Sequence, residues 1–172
     1  LCKQRNGLKL VHFNARSLNL EKLDYIRFVF ENSSVDLICV TETWFCSDIL
    51  DSRYELKNYN LVRNDRVDKR GGGVAVYSKK GLNIKLISKS NGSIVEFINI
   101  SVEDNFQKVL ISCVYNPNKC HSLEPYFAEI ESKILDFDHY IVCGDFNVNI
   151  LRKDTYVTNL SGQVSSVGLS FC

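Results

Sequence analysis

The chain has 172 residues, 45% of them hydrophobic and 24% charged, with a formal net charge of +1. That length suits one domain with a sizeable core, and the composition is that of an ordinary globular protein rather than a disordered or collagen-like one. The near-neutral charge neither demands nor excludes a polyanionic partner, and no apolar run approaches the ~18 residues of a membrane span.

Seven cysteines occur without a Cys-x-x-Cys pair. Cys39, Cys113 and Cys143 sit inside apolar runs, where a reduced thiol behaves as a small core hydrophobe. Cys113, Cys120 and His121 match no zinc-ligand spacing. An intracellular, reducing compartment is expected, with no membrane association. The first residues, Leu-Cys-Lys-Gln-Arg-Asn-Gly, lack the apolar core of a signal peptide. There is no methionine, so the chain is expected to be a piece of a longer reading frame or a processed product.

In chain order, Leu8 to Phe13 reads as a first strand. Asn19 or Ser17 caps a helix whose stripe is Leu20, Leu23, Ile26, Val29 and Phe30. Val35 to Val40 is a buried-type strand running into Thr41-Glu-Thr-Trp44. Tyr59 to Val62 precedes a charged segment from Arg63 to Arg70. Val74 to Tyr77 turns through Lys79-Lys-Gly81 into a strand from Asn83 to Ile87. Ile94 to Val102 and Val109 to Tyr115 alternate, with Asp104-Asn105 as the turn between them. Ser122 caps a second helix, with Pro125 in its first turn and Phe127, Ile130 and Ile134 as its stripe. Tyr140 to Cys143 is the next strand, and Thr155 to Leu169 a last helix. Strands joined partly by hairpins and partly by crossovers predict a layered α/β domain with a mixed sheet.

Two buried strands end in acids, Glu42 and Asp145, and a third ends in an amide, Asn14. Strand ends in α/β sheets are where ligands dock. Asp145 and Asn147, two apart, share one face if the chain stays extended. Carboxylates with amide neighbours suit Mg²⁺ or Mn²⁺ and phosphodiester cleavage, in which a metal neutralises phosphoryl charge and a base activates water. The plain alternative is that Asp and Asn simply close turns. Gly71-Gly-Gly73 precedes β-branched residues rather than a helix, so it reads as a bulge or a tight lead into a strand and not a phosphate loop. Arg63, Arg66, Lys69 and Arg70 are candidates for DNA phosphates, with Asp65 and Asp68 interleaved. Trp44 is a candidate for core or for nucleotide contact.

Five motifs occur in the order found in one family: Asn14-Ala-Arg-Ser-Leu18, Thr41-Glu-Thr-Trp44, Arg70-Gly-Gly-Gly-Val-Ala-Val-Tyr77, Tyr115-Asn-Pro117 and Gly144-Asp-Phe-Asn147. On them the chain resembles the endonuclease domain of non-LTR retrotransposons, within the endonuclease/exonuclease/phosphatase superfamily that includes the apurinic/apyrimidinic endonucleases. The resemblance runs from about Leu8 to about Leu169. It implies a four-layer α/β sandwich of two mixed β-sheets flanked by helices. It also implies Glu42 as principal metal ligand with Asn14 beside it, Asp145 orienting or deprotonating water, Asn147 on the scissile phosphate and Tyr115 hydrogen-bonding near it. Arg16, in the first motif, joins Arg63, Arg66, Arg70 and Trp44 as a candidate DNA contact. Mg²⁺ or Mn²⁺ is the implied cofactor, DNA the partner, a downstream reverse transcriptase domain the companion, and the nucleus the site of an active copy.

The family's further metal-site Asp and closing Ser-Asp-His have no match after Asn147. The expectation is therefore one domain over residues 1–172, incomplete at its C-terminus, with weak nicking activity and a tendency to associate. An inactive remnant that still binds DNA or metal, or a phosphatase or phospholipase of the same superfamily, is the alternative. His139 begins the strand that Asp145 ends, roughly 20 Å away, and His12 reads as a hydrogen-bonded core histidine.

Overall fold

The computed structural model describes residues 7–67, 69–104, 106–117, 123–152 and 155–171. Among these residues, eight strands and three longer helices run in the order β1 (Leu10–Asn14), α1 (Leu20–Phe30), β2 (Leu37–Thr41), β3 (Tyr59–Asn64), β4 (Val74–Lys79), β5 (Asn83–Lys89), β6 (Glu96–Glu103), β7 (Lys108–Tyr115), α2 (Glu124–Ile134), β8 (His139–Asp145) and α3 (Thr155–Ser166), with a 3₁₀ turn at Asp51–Arg53. The strands form two four-stranded sheets ordered β1-β2-β4-β3 and β5-β6-β7-β8. Both are mixed: β1 runs parallel to β2 and β7 parallel to β8, while the other pairs are antiparallel.

Three apolar clusters define four layers. Leu23 and Ile26 of α1 pack on Ile38, Val40, Ala75 and Tyr77 of the first sheet. Leu37, Cys39, Val74 and Val76 meet Ile98, Ile100, Ile111 and Cys113 between the sheets. Tyr126, Phe127 and Ile130 of α2, with Leu160 and Val164 of α3, cover Leu110 and Val114. The alternation of each strand sorts its residues between an inner and an outer cluster, which is why β2 and β4 are apolar on both faces.

Several expectations change in detail. The chain between β4 and β5 passes from one sheet to the other instead of closing a hairpin. Asn19 caps α1, its side chain accepting from the Lys22 amide at 3.0 Å. The stripe of α1 is narrower than expected: Leu20 and Val29 are exposed, because at 100° per residue they flank the face that Leu23, Ile26 and Phe30 share. The apolar run of β7 is buried from Leu110 to Tyr115, with α2 and α3 on one side and the first sheet on the other. β8 is an edge strand. The Ser122 cap, Asn105, Cys120 and His121 lie outside the described residues, and α2 begins after Leu123 without a side-chain cap. No described helix is long and apolar enough to cross a membrane.

Candidate active site at the strand ends

The two parallel pairs end at the same rim. In the first sheet Asn14 and Thr41 are register partners, which places Glu42 one residue beyond the pair. In the second sheet Tyr115 and Asp145 are register partners. Stacking the sheets brings these ends together. The Asn14 amide donates to Glu42 Oε1 at 2.9 Å and to Asp145 Oδ2 at 2.7 Å. One amide therefore bridges two carboxylates that are 103 residues apart in sequence and belong to different sheets. Tyr115 joins them: burial, the Glu42 charge and a hydrogen bond to Glu42 all push its phenol well above the usual range.

Asn147 arrives by a different route from the one expected. The strand ends at Asp145, and Asn147 takes a left-handed φ of 53°, so the two side chains do not share a face of an extended chain. Asn147 N instead donates to Asp145 Oδ1 at 2.9 Å, and its Nδ2 donates to the Asn116 carbonyl at 2.7 Å. Asn116 is itself buried, and its amide N–H donates to the Asp145 carbonyl at 2.9 Å. The β7–α2 loop thus holds the loop after β8. Gly144 permits this approach, since a Cβ there would overlap the Val114 carbonyl oxygen.

Five non-glycine residues have positive φ among those described: Arg16, Ser17, Glu42, Trp44 and Asn147. All five lie in the three loops that follow Asn14, Thr41 and Asp145. Left-handed backbone costs roughly 1–2 kcal/mol per non-glycine residue, and it persists where surrounding structure enforces it. Here the enforcement is a ladder of loop amides. Ser17 N and Leu18 N donate to the Glu42 and Thr43 carbonyls at 2.9 and 2.8 Å. Thr43 N and Trp44 N donate to the Gly73 and Gly72 carbonyls at 3.2 and 2.9 Å. A Cβ on Gly73 would collide with Thr43 Oγ1, so the Gly71-Gly-Gly73 run is a close-packed lead into β4, as its sequence context implies.

The sequence reading missed one acid. Glu96 opens β6, is only 5% exposed, and is the register partner of Tyr115. It accepts from the Gly73 amide at 2.5 Å and pairs with Arg66. Burial raises its carboxyl, the Gly73 and Arg66 contacts oppose that, and the Glu42 charge adds to it. The available signal was parity: Glu96 shares the inner face with Ile98 and Ile100, and a lone acid on an apolar stripe asks for a partner.

The candidate DNA-contacting residues separate into two groups. Arg66, paired to Glu96, lies 5.8 Å from the Tyr115 ring, and Arg70 lies 5.4 Å from the Trp44 ring. The Trp44 indole packs against Gly71. Arg16 is exposed in the loop after β1, its amide N–H donating to Asn14 Oδ1 at 2.9 Å. Arg66 thus adjoins Tyr115, and the Arg16 backbone adjoins Asn14. Arg63 is committed elsewhere, to Asp51 at 2.8 Å, to Asp65, and to the Ile49 carbonyl at 2.6 Å. His12 Nε2 meets Thr41 Oγ1 at 3.3 Å, and burial lowers its imidazole against the pull of Cys143 and Asp145. His139 opens β8 at the end opposite Asp145.

No protein-family model matches the chain, and no match is found among curated proteins. Solved structures do match. The endonuclease domain of TRAS1, a telomere-specific non-LTR retrotransposon, superposes with a TM-score of 0.66 at 12% identity, over 94% of this chain and 71% of that one. An AP endonuclease from Leishmania major gives 0.68 at 16%, over 93% and 66%. A 3′ phosphatase from Neisseria, bound to product DNA hairpin, gives 0.67 at 14%, over 95% and 72%. At such identities the shared property is architecture: the chain has the two-sheet α/β fold of the endonuclease/exonuclease/phosphatase proteins.

Proposed function

We propose that the chain is a divalent-cation-dependent phosphodiester hydrolase that nicks DNA, as the endonuclease part of a non-LTR retrotransposon protein whose reverse transcriptase extends the resulting 3′-hydroxyl. The observation that carries the reading is the Asn14 amide held between the Glu42 and Asp145 carboxylates. Two converging acids bridged by an N–H donor make a place for positive charge, and their oxygens suit a hard cation such as Mg²⁺ or Mn²⁺. Glu42, with Asn14 beside it, would hold it. When bound, such a cation neutralises charge on the phosphoryl oxygens.

The remaining groups have separate tasks. Asp145 is placed to orient the attacking water and accept its proton. Asn147, fixed by Asn116, donates to a phosphoryl oxygen. Tyr115 stays protonated well above neutral pH, so its hydroxyl is a donor beside the same phosphate. Arg16, Arg66, Arg70 and Trp44 are the candidates to meet the DNA backbone. The retrotransposon assignment is supported by the order of the five motifs and by the likeness to the TRAS1 domain.

A second reading, a protein that binds DNA or metal without cleaving, draws support from the imidazoles: His12 is bonded to Thr41, and His139 lies at the end of β8 opposite Asp145. Nicking is accordingly expected to be slow. Conversion of supercoiled plasmid to open circle in Mg²⁺ or Mn²⁺ tests both readings. Slow nicking abolished by Asp145→Ala and by Glu42→Gln supports the hydrolase. Nicking indifferent to both substitutions overturns this site. Metal-dependent DNA binding with no cleavage by the unsubstituted chain favours the second reading.

A further inference from the structure

One rung beneath the strand-end cluster, the stacked sheets bring three thiols together. Cys39 of β2, Cys113 of β7 and Cys143 of β8 carry Sγ atoms that all lie within 4.8 Å of one another. Cys39 and Cys113 are fully buried and Cys143 is half-buried. Their meeting follows from register and stacking. Cys113 and Cys143 are direct partners across the parallel β7–β8 pair, and Cys39 faces them from the first sheet. His12 is the register partner of Cys39, so it projects from the same inner face.

A single buried thiol fills space much as alanine or valine would. Three thiols from two sheets converging on one point gain nothing further as packing, but they form a ligand set. In a tetrahedral zinc–thiolate site the sulfurs stand about 3.8 Å apart, given metal–sulfur bonds of about 2.3 Å. The present separations need to close by about 1 Å at most. We propose that Cys39, Cys113 and Cys143 form a buried three-thiolate site for a thiophilic d¹⁰ cation such as Zn²⁺. Binding releases the thiol protons to solvent as thiolates form. The half-buried Cys143 gives the route in from the β8 edge. Soft sulfur donors here and hard oxygen donors one rung above select different ions, so this site stands independently of the hydrolase reading. An ion here ties β2 directly to β7 and β8.

Titration of the reduced, metal-free full chain with Co²⁺, followed by Zn²⁺ competition, tests the site. The expected result is a sulfur-to-cobalt charge-transfer band saturating at one equivalent and displaced by Zn²⁺, with a Zn²⁺-dependent rise in melting temperature. Cys46→Ala, at an exposed cysteine, should retain the band. Cys113→Ala and Cys143→Ala should each lose it. Glu42→Gln should retain it whatever happens to nicking, which separates failure of this site from failure of the hydrolase. If Cys113→Ala does not fold, the half-buried Cys143 position and the unsubstituted chain decide. A folded, reduced chain that shows no such band, or a band that survives Cys143→Ala, overturns the proposal.

Discussion

The two sheets deliver their polar groups to the rim by different means. In the second sheet Tyr115 and Asp145 are the last residues of β7 and β8 and face each other across the ladder. The pairing itself aims them, and neither has positive φ. In the first sheet Asn14 ends β1, but Glu42 lies one residue past β2, and four of the five left-handed residues, Arg16, Ser17, Glu42 and Trp44, lie in the loops after these strands. A pleated ladder presents side chains only perpendicular to the sheet. Past the end of the ladder no pairing aims Glu42, which is turned by backbone that leaves the β region, and the glycine at 73 leaves room for Thr43 in the amide ladder that holds it there. One half of the site is set by strand pairing, the other by strained loops braced against each other.

If both halves serve one reaction, Glu42→Gln and Asp145→Ala should each lower phosphodiester cleavage by about a thousandfold or more, and the double variant should lose little beyond either single. Single-turnover plasmid nicking measures this. Multiplicative losses would show that the halves act independently.

The ladder-built half should be the less forgiving of added bulk. Gly144→Ala places a methyl group on the Val114 carbonyl oxygen and is expected to destabilise by about 3 kcal/mol, at the upper end for single substitutions. Urea unfolding would reveal it, and a change within about 0.5 kcal/mol would contradict the packing described at that position.

Glu96 links the halves, pairing with Arg66 and Gly73 while facing Tyr115. Its folded carboxyl titrates above its unfolded value, so the folded chain holds this proton more tightly. The resulting contribution to stability is present below the ordinary carboxylate range, near pH 4.3 or so, and is lost as pH rises through the folded value. Relative to Glu96→Gln, the unsubstituted chain should lose melting temperature as pH rises from about 4 to 7. A constant difference across that range would mean that the Arg66 and Gly73 contacts cancel the burial cost.

The smallest effect concerns the loop-built half. Arg16 has φ 42° and an exposed side chain. Arg16→Gly should relieve strain of about 1–2 kcal/mol, less the entropy glycine loses on folding, for a net gain of about 0.5 kcal/mol. Equal or lower stability would indicate that the loop is not strained there.

Much of the architecture is legible in local pattern. Apolar runs and alternation locate β2, β4, β6, β7 and β8, and Asn19 followed by Leu23 and Ile26 locates α1, because a period of 2 or 3.6 and the chemistry of a cap are properties of neighbouring residues. The motifs likewise mark Asn14, Glu42, Tyr115 and Asp145 as strand-end residues. Which strand ends meet has no local signature: the family resemblance implied a shared site, and tertiary structure decided the contacts. That Asn14 bridges Glu42 and Asp145, that Glu96 pairs with Arg66 beside Tyr115, and that Cys39 faces Cys113 and Cys143 all depend on how one twisted sheet stacks on the other. That stacking is set by the summed fit of the inner faces, from Leu37 and Val76 to Ile98 and Ile111. Complementarity of this kind, between residues remote in sequence, leaves no local periodicity from which it can be read.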